Sequence, residues 1–187
     1  MLSQRILDMF ARIPPDTTIE NKYYGVYDKL LNGVFDTSAT DYTVEPQYAL
    51  PEAFQAPGVP SVDFVVTYVV ALDDKPVFFL EIKPPGHVNL ISTRIAADTQ
   101  MRNRFSSFYD VVPTPKLHGI SVMGQRLAFY SMEKATGHIV PERVQPAENY
   151  VTDTVPVNRW KLDITTEVGH QQFMAVVDAV KSMVAAL

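Results

Sequence analysis

The sequence predicts a single α/β (or α+β) domain built on one central mixed β-sheet flanked by helices. Three observations carry that prediction. Runs rich in Val, Ile, Phe and Tyr, such as Phe64–Leu72 and Val77–Ile82, alternate with stretches whose apolar residues recur at helical intervals. The resulting order of helix, strands, helix, strands, helix suits layers packed around one sheet. The length of 187 residues, 47% of them hydrophobic, fits one ordinary core.

Taken in order, residues 1–13 form a short amphipathic helix with Ile6, Met9, Phe10 and Ile13 on one side, ended by Pro14-Pro15. A second helix starts at Thr17 or Thr18. Thr17 and Glu20 have the spacing of a capping box, and Ile19, Tyr23, Tyr27, Leu30, Leu31 and Val34 make its stripe. A short strand is expected at Tyr42–Val44, then a loop over Pro46–Pro60, which holds four prolines. Phe64–Leu72 and Val77–Ile82 form a hairpin about the turn Asp73-Asp74-Lys75-Pro76, and Pro84-Pro85-Gly86 stops its second strand.

Ser92 can cap a helix over Thr93–Tyr109, whose apolar positions Ile95, Thr99, Met101, Phe105 and Phe108 face the sheet. Its polar positions include Arg94, Asp98, Gln100, Arg102 and Arg104. Leu117–Val122 and Arg126–Met132 make a second hairpin around Met123-Gly124-Gln125, with a further strand at His138–Val140. Residues 141–158 are polar and irregular. Trp160, Leu162 and Ile164 anchor the chain before a last helix over Glu167–Leu187, striped by Phe173, Val176, Val177, Val180, Met183 and Val184.

Composition narrows the function. No cysteine is present, which excludes disulfides, thiolate metal sites and cysteine nucleophiles and fits an intracellular protein of the cytoplasm or nucleus. No stretch has the roughly 20 apolar residues a membrane span needs, and the N-terminus lacks a secretory apolar core, so no membrane partner is expected. The net charge of −5 argues against a general nucleic-acid coat protein, yet residues 83–143 hold 8 Lys/Arg against 4 Asp/Glu. That local basicity suits either a phosphate-facing surface or a mixed solvated one. His87, His118, His138 and His170 show no metal-ligand spacing, and no phosphate-binding glycine loop or serine-hydrolase elbow occurs.

The chemistry concentrates in the first hairpin. Glu81 and Lys83 sit two residues apart and share a strand face, and Asp63 opens the opposite run. Converging carboxylates can hold Mg²⁺ or Mn²⁺, hard ions that prefer oxygen. Such an ion activates water and stabilises charge building on a phosphodiester, while a neighbouring lysine orients the water or pairs with the phosphate. A bland reading competes: Glu81 and Lys83 pair with each other or with Arg94, and Asp63 caps a loop. Register is also a constraint. A tight hairpin centred on Asp74-Lys75 would set Glu81 opposite Tyr68 and leave Asp63 five residues further along, so a bulge or strong twist is needed to join them.

Asp…Glu-x-Lys across a hairpin, preceded by a helix bearing Glu and followed by one bearing Gln, resembles the PD-(D/E)XK superfamily of restriction-endonuclease-like nucleases. The longer pattern PVFFLEIKPP, ADTQMRNR, LHGISVMGQRLAFY is also similar to uncharacterised proteins of mushroom-forming fungi and brings no activity with it. The first resemblance implies a restriction-endonuclease-like core and a metal-dependent nuclease acting on DNA. It implies Asp63 and Glu81 as ligands of Mg²⁺ or Mn²⁺, with the Ile82 carbonyl as a third, and Lys83 as the catalytic lysine. It also implies Glu20 as an additional first-helix carboxylate and Gln100 near the substrate, where Arg94 and Arg104 of the same helix would join it. The chain has Val62 where the family's proline precedes the Asp, and its Asp-to-Glu interval of 18 residues is long. The alternative is a catalytically inactive protein that uses this fold to bind nucleic acid or protein, with a homodimer as one form.

Overall fold

A computed structural model describes residues 1–46, 67–149 and 152–187. Among these, α1 (Gln4–Ala11) and α2 (Tyr24–Phe35) precede β1 (Tyr42–Pro46), β2 (Thr67–Leu72) and β3 (Lys75–Lys83). Then come α3 (Ile91–Phe108), β4 (Lys116–Met123), β5 (Arg126–Glu133), β6 (Ile139–Val140), β7 (Leu162–Asp163) and α4 (Glu167–Val184). The described strands form one mixed sheet in the order β1-β2-β3-β4-β5-β6, with β7 also on β5. Only the β3–β4 pair is parallel, because α3 carries the chain across between them. The predicted mixed α/β architecture is present: one sheet with helices on both faces.

Strand β3 is buried along nearly its whole length, since it is central in the sheet and covered on both sides. Its residues divide by parity. Phe78, Leu80 and Ile82 enter the core made with α1, α2 and α4, beside Phe10, Tyr27, Leu31, Phe35 and Phe173. Phe79 enters the core under α3, edge-on to Phe105 at 4.8 Å and to Phe108 at 5.6 Å between ring centroids. Gly119, its register partner on β4, has to be small: a Cβ there would lie 2.5 Å from the Phe79 ring. The α4 stripe of Phe173, Val176, Val177 and Val180 is spent on the sheet within this domain.

The first hairpin differs from the predicted one in a way that matters. Its loop is two residues long, Asp73 and Asp74, both at positive φ (49° and 61°), a backbone region that Asp tolerates better than most residues. Lys75 and Pro76 therefore begin β3 instead of closing the turn. Pro76 pairs with Ala71, and the next pair is Val70 with Phe78, so Val77 is an extra residue in the ladder. Proline cannot donate to the ladder, and bulges are where sheets accept it. The earlier turn and the bulge together place Glu81 opposite Thr67, not Tyr68.

Other starts and faces also move. Thr17 makes no capping box: its hydroxyl accepts from the Ile19 N–H at 3.2 Å, and a 3₁₀ turn over Glu20–Tyr23 leads into α2. Ser92 does not cap α3. The helix begins after Leu90, where the Thr93 hydroxyl donates to the carbonyls of His87 and Leu90 at 2.5 and 2.9 Å. Ile95 of α3 is exposed, whereas Arg94 and Asp98 are buried.

The reason lies in residues 139–149 and 152–160. Asp98 accepts from Arg102 Nε at 2.8 Å, Arg159 Nη1 at 2.7 Å and the Tyr130 hydroxyl at 3.2 Å, with Arg143 Nε at 3.4 Å. Arg102 also donates to the Pro141 carbonyl at 2.5 Å and Arg159 to that of Glu142 at 2.7 Å. A polar flank of α3 thus straps an otherwise irregular segment to the domain. Arg102 and Arg143, two of the eight basic residues between positions 83 and 143, are engaged here.

Candidate functional site

The parity that puts Phe79 under α3 puts Glu81 and Lys83 on the same face. Glu81 is 1% exposed. Its Oε1 accepts from the Thr67 hydroxyl at 3.3 Å and from Arg104 Nε at 3.4 Å. Ser121 is its register partner on β4, so one row across the sheet reads Thr67, Glu81, Ser121. Burial pushes the Glu81 carboxyl up from its ordinary range, against the pull of Arg104, Lys83 and the Thr67 hydrogen bond. Among the described residues Glu81 Oε2, Gln100 Oε1 and Ser121 Oγ are buried and have no hydrogen-bond partner. Such atoms carry a desolvation cost that ordinary cores avoid.

Gln100 and Arg104 lie one turn apart on α3 and share a flank. Asp98 and Arg102 occupy the other flank, so the helix presents one polar edge toward Glu81 and another toward Arg159. Lys83 is half-buried at the end of β3; its carbonyl accepts from the Gly124 N–H at 3.0 Å. Its ammonium joins no ion pair among the described residues. Gly124 holds this strand end in place. Its φ is +66°, its carbonyl accepts from the Tyr27 hydroxyl at 2.9 Å, and a Cβ would stand 2.7 Å from Pro85.

The remaining predicted residues fall elsewhere. Glu20 accepts from the Tyr24 hydroxyl at 2.7 Å on the α2 side of the sheet, opposite the face that bears Glu81. Its one visible link to the site is through His87, whose pKa is lowered by burial and by Lys83, with Glu20 opposing. The Ile82 side chain belongs to the α1–α2–α4 core, leaving only its carbonyl for the role the resemblance implies. Arg94 does not pair with Glu81. It donates to Asp153 at 2.5 Å and to the carbonyls of Val155 and Val88 at 2.9 and 2.8 Å, and it is 4% exposed. Its guanidinium is a buried strut, and the ion pair expected of it is made by Arg104. Asp63, with Phe64–Val66 and most of the proline-bearing loop, lies outside the described residues.

Thr67 and Ser121 are the site neighbours that the sequence did not announce. Both sit inside apolar runs, and Thr67 becomes visible only once the ladder is shifted by the Val77 bulge.

The oxygen-only set of Glu81, Gln100 and Ser121 suits a hard cation in kind. In charge it supplies a single carboxylate, and among the described residues no group of three His, Cys, Asp or Glu could hold a metal. No helix among them is long and apolar enough to cross a membrane. Comparison with protein-family models, curated proteins and solved structures finds no match.

Proposed function

We propose that this protein is a Mg²⁺- or Mn²⁺-dependent nuclease that hydrolyses phosphodiester bonds in DNA, on a restriction-endonuclease-like core. The observation that carries the reading is Glu81: a carboxylate buried at the sheet, with one oxygen unpartnered among the described residues, on the face of Lys83 and beside Arg104 of α3. A buried carboxylate left half-satisfied costs roughly 1–3 kcal/mol, which a purely structural role does not repay.

In this reading Glu81 and Asp63 hold the ion with the Ile82 carbonyl, and Glu20, engaged by the Tyr24 hydroxyl on the other face of the sheet, stays outside it. Three residues lie between Asp63 and Thr67, so the four peptide steps reach at most about 14 Å along the chain. A bound divalent ion lowers the pKa of water and offsets charge on the phosphoryl oxygens. Lys83 positions the attacking water or neutralises the scissile phosphate from the same strand face. Arg104 and Gln100 meet the substrate from α3. Arg94, already engaged by Asp153, supports the helix instead.

The test is direct. Purified protein is incubated with single- and double-stranded DNA and RNA in Mg²⁺ or Mn²⁺, beside a Lys83→Ala variant whose circular dichroism matches. Cleavage that disappears with Lys83 supports the proposal. A protein inert on all four substrates, which also takes up no divalent ion by calorimetry, overturns it.

A second reading has its own support: Glu81 Oε1 already has a cationic partner in Arg104, and the whole chain is acidic. On that reading the protein is a non-catalytic module that binds nucleic acid or protein, as a monomer or homodimer. Partner binding unchanged in Lys83→Ala would favour it, and the mass in solution decides between the two assembly states.

A further inference from the structure

We infer that the cleft between Tyr23, Pro85 and Gln125, at the end of β3, receives one unpaired nucleobase of the DNA strand. This rests on the nuclease reading above and names the state of its substrate, a single-stranded or frayed nucleotide. It draws on neither Glu81 nor a bound ion.

Strands β3 and β4 are the parallel pair of the described sheet, and ligands of such sheets gather outside the carboxyl ends of the strands. Lys83 and Met123 are register partners at those ends. Met123 and Pro85 line a cleft of about 150 Å³ together with Tyr23, Gln125, Arg126 and Asp163. A cavity of that volume takes roughly one six-membered aromatic ring. Gly124 keeps the cleft open: a Cβ there would lie 2.7 Å from Pro85 and 3.2 Å from the Tyr23 hydroxyl, both lining residues. The turn is held in place as well, since the Gly124 N–H donates to the Lys83 carbonyl at 3.0 Å and its carbonyl accepts from Tyr27 at 2.9 Å.

The polar groups of the cleft are unspent. Among the described residues the Tyr23 hydroxyl and the Gln125 side-chain amide make no hydrogen bond. Asp163 gives Oδ1 to the Thr165 N–H and hydroxyl at 2.8 and 2.6 Å and keeps Oδ2. Burial and Asp163 push the Tyr23 pKa up, so its hydroxyl stays protonated and can both donate and accept. Hydroxyl, amide and carboxylate together answer the alternating donors and acceptors of a base edge. In a duplex that edge is taken by the partner base, so the occupant is unpaired. Its phosphate has cations at hand: neither Arg126 nor Lys83 joins an ion pair among the described residues.

Fluorescence anisotropy in EDTA, where no cleavage intervenes, tests this on the full chain at fixed low salt. The probes are a labelled thymidine octamer and an abasic octamer with the same number of phosphates. Wild type should bind the thymidine octamer about ten-fold more tightly, the scale of one base held by two hydrogen bonds. Tyr23→Phe and Gln125→Ala should each narrow that ratio about three-fold and leave the abasic octamer unchanged. Arg126→Ala, at an exposed position, should instead weaken both probes alike and flatten their salt dependence. Equal affinity of wild type for the two octamers overturns the inference. So does a ratio that Tyr23→Phe and Gln125→Ala both leave unchanged, and so does failure of both octamers to bind. The nuclease reading is decided separately, by the cleavage assay in Mg²⁺ or Mn²⁺.

Discussion

Replacing Glu81 by Gln should make the fold more stable at neutral pH while abolishing cleavage. Two opposing quantities set the sign. Neutralising the side chain relieves a buried carboxylate whose Oε2 has no partner among the described residues, worth roughly 1–3 kcal/mol. It also forfeits the Arg104 contact, but at 3.4 Å and with Arg104 partly in solvent that pair contributes about 0.5–1 kcal/mol. The Thr67 hydrogen bond survives, because the Gln carbonyl oxygen accepts as Oε1 did. The net gain is about 0–2.5 kcal/mol, or up to roughly 10 °C in Tm for a domain of this size.

The pH dependence supplies the sharper check. Because burial raises the Glu81 pKa above its unfolded value, its contribution to stability is fully present below the unfolded value and is lost as pH rises through the folded one. Wild type should therefore lose stability relative to Glu81→Gln as pH rises above the ordinary glutamate range, with the gap widening as it rises. Urea titrations of both proteins at four pH values measure it. A variant less stable than wild type at pH 8, or a gap that does not change with pH, would refute the reasoning.

Three further outcomes follow from the geometry. Lys83→Ala should keep its urea midpoint and lose DNA cleavage by about a hundred-fold or more, as removal of a charge-stabilising or proton-handling group does; a nicking assay on supercoiled plasmid reads it. Gly119→Ala should destabilise by roughly 1–3 kcal/mol, since its methyl would lie 2.5 Å from the Phe79 ring in a packed core; the urea midpoint of the variant reports it. Asp98 titrates in the opposite sense to Glu81. Its burial raises the pKa, but Arg102, Arg159 and Tyr130 overcome that and hold it below its ordinary value, so its contribution is lost as pH falls through the folded value. Asp98→Asn should cost about 3–5 kcal/mol at pH 7 by stranding Arg102 and Arg159, and should flatten the acid limb of a stability profile measured down to pH 2.

Much of the architecture can be read from residue patterning. The period-two runs in β3, β4 and β5 and the 3.6-residue stripe of α4 name elements whose faces are uniformly apolar. The sequence misleads where polar residues are buried by partners far along the chain. Arg94 and Asp98 look like a solvated edge of α3 until Asp153, Arg159 and the Pro141 carbonyl are brought to them. Helix starts fail for a related reason: Thr17 and Thr93 spend their hydroxyls on local turns that compete with capping. At the site, Glu-x-Lys announces itself because charge in a buried strand is costly. Thr67 and Ser121 do not, since a hydroxyl inside an apolar run is unremarkable until the register is known.

The extra residue at Val77 has a consequence for how this chain can vary. Side chains of a strand look alternately to either face, so the hairpin between Thr67 and Glu81 counts in twos. Removing Val77 alone would take the bulge out and leave the ladder's pairs as they are, Ala71 with Pro76, Val70 with Phe78 and Thr67 with Glu81. Inserting one residue between Tyr68 and Val69 would instead set Tyr68 beside Glu81 in place of Thr67, while the β3–β4 ladder kept Glu81 where it is. The hairpin should therefore keep its register without Val77 and lose it when β2 gains a residue, so the insertion should cost more than the deletion, a contrast that the urea midpoints of the two variants can score.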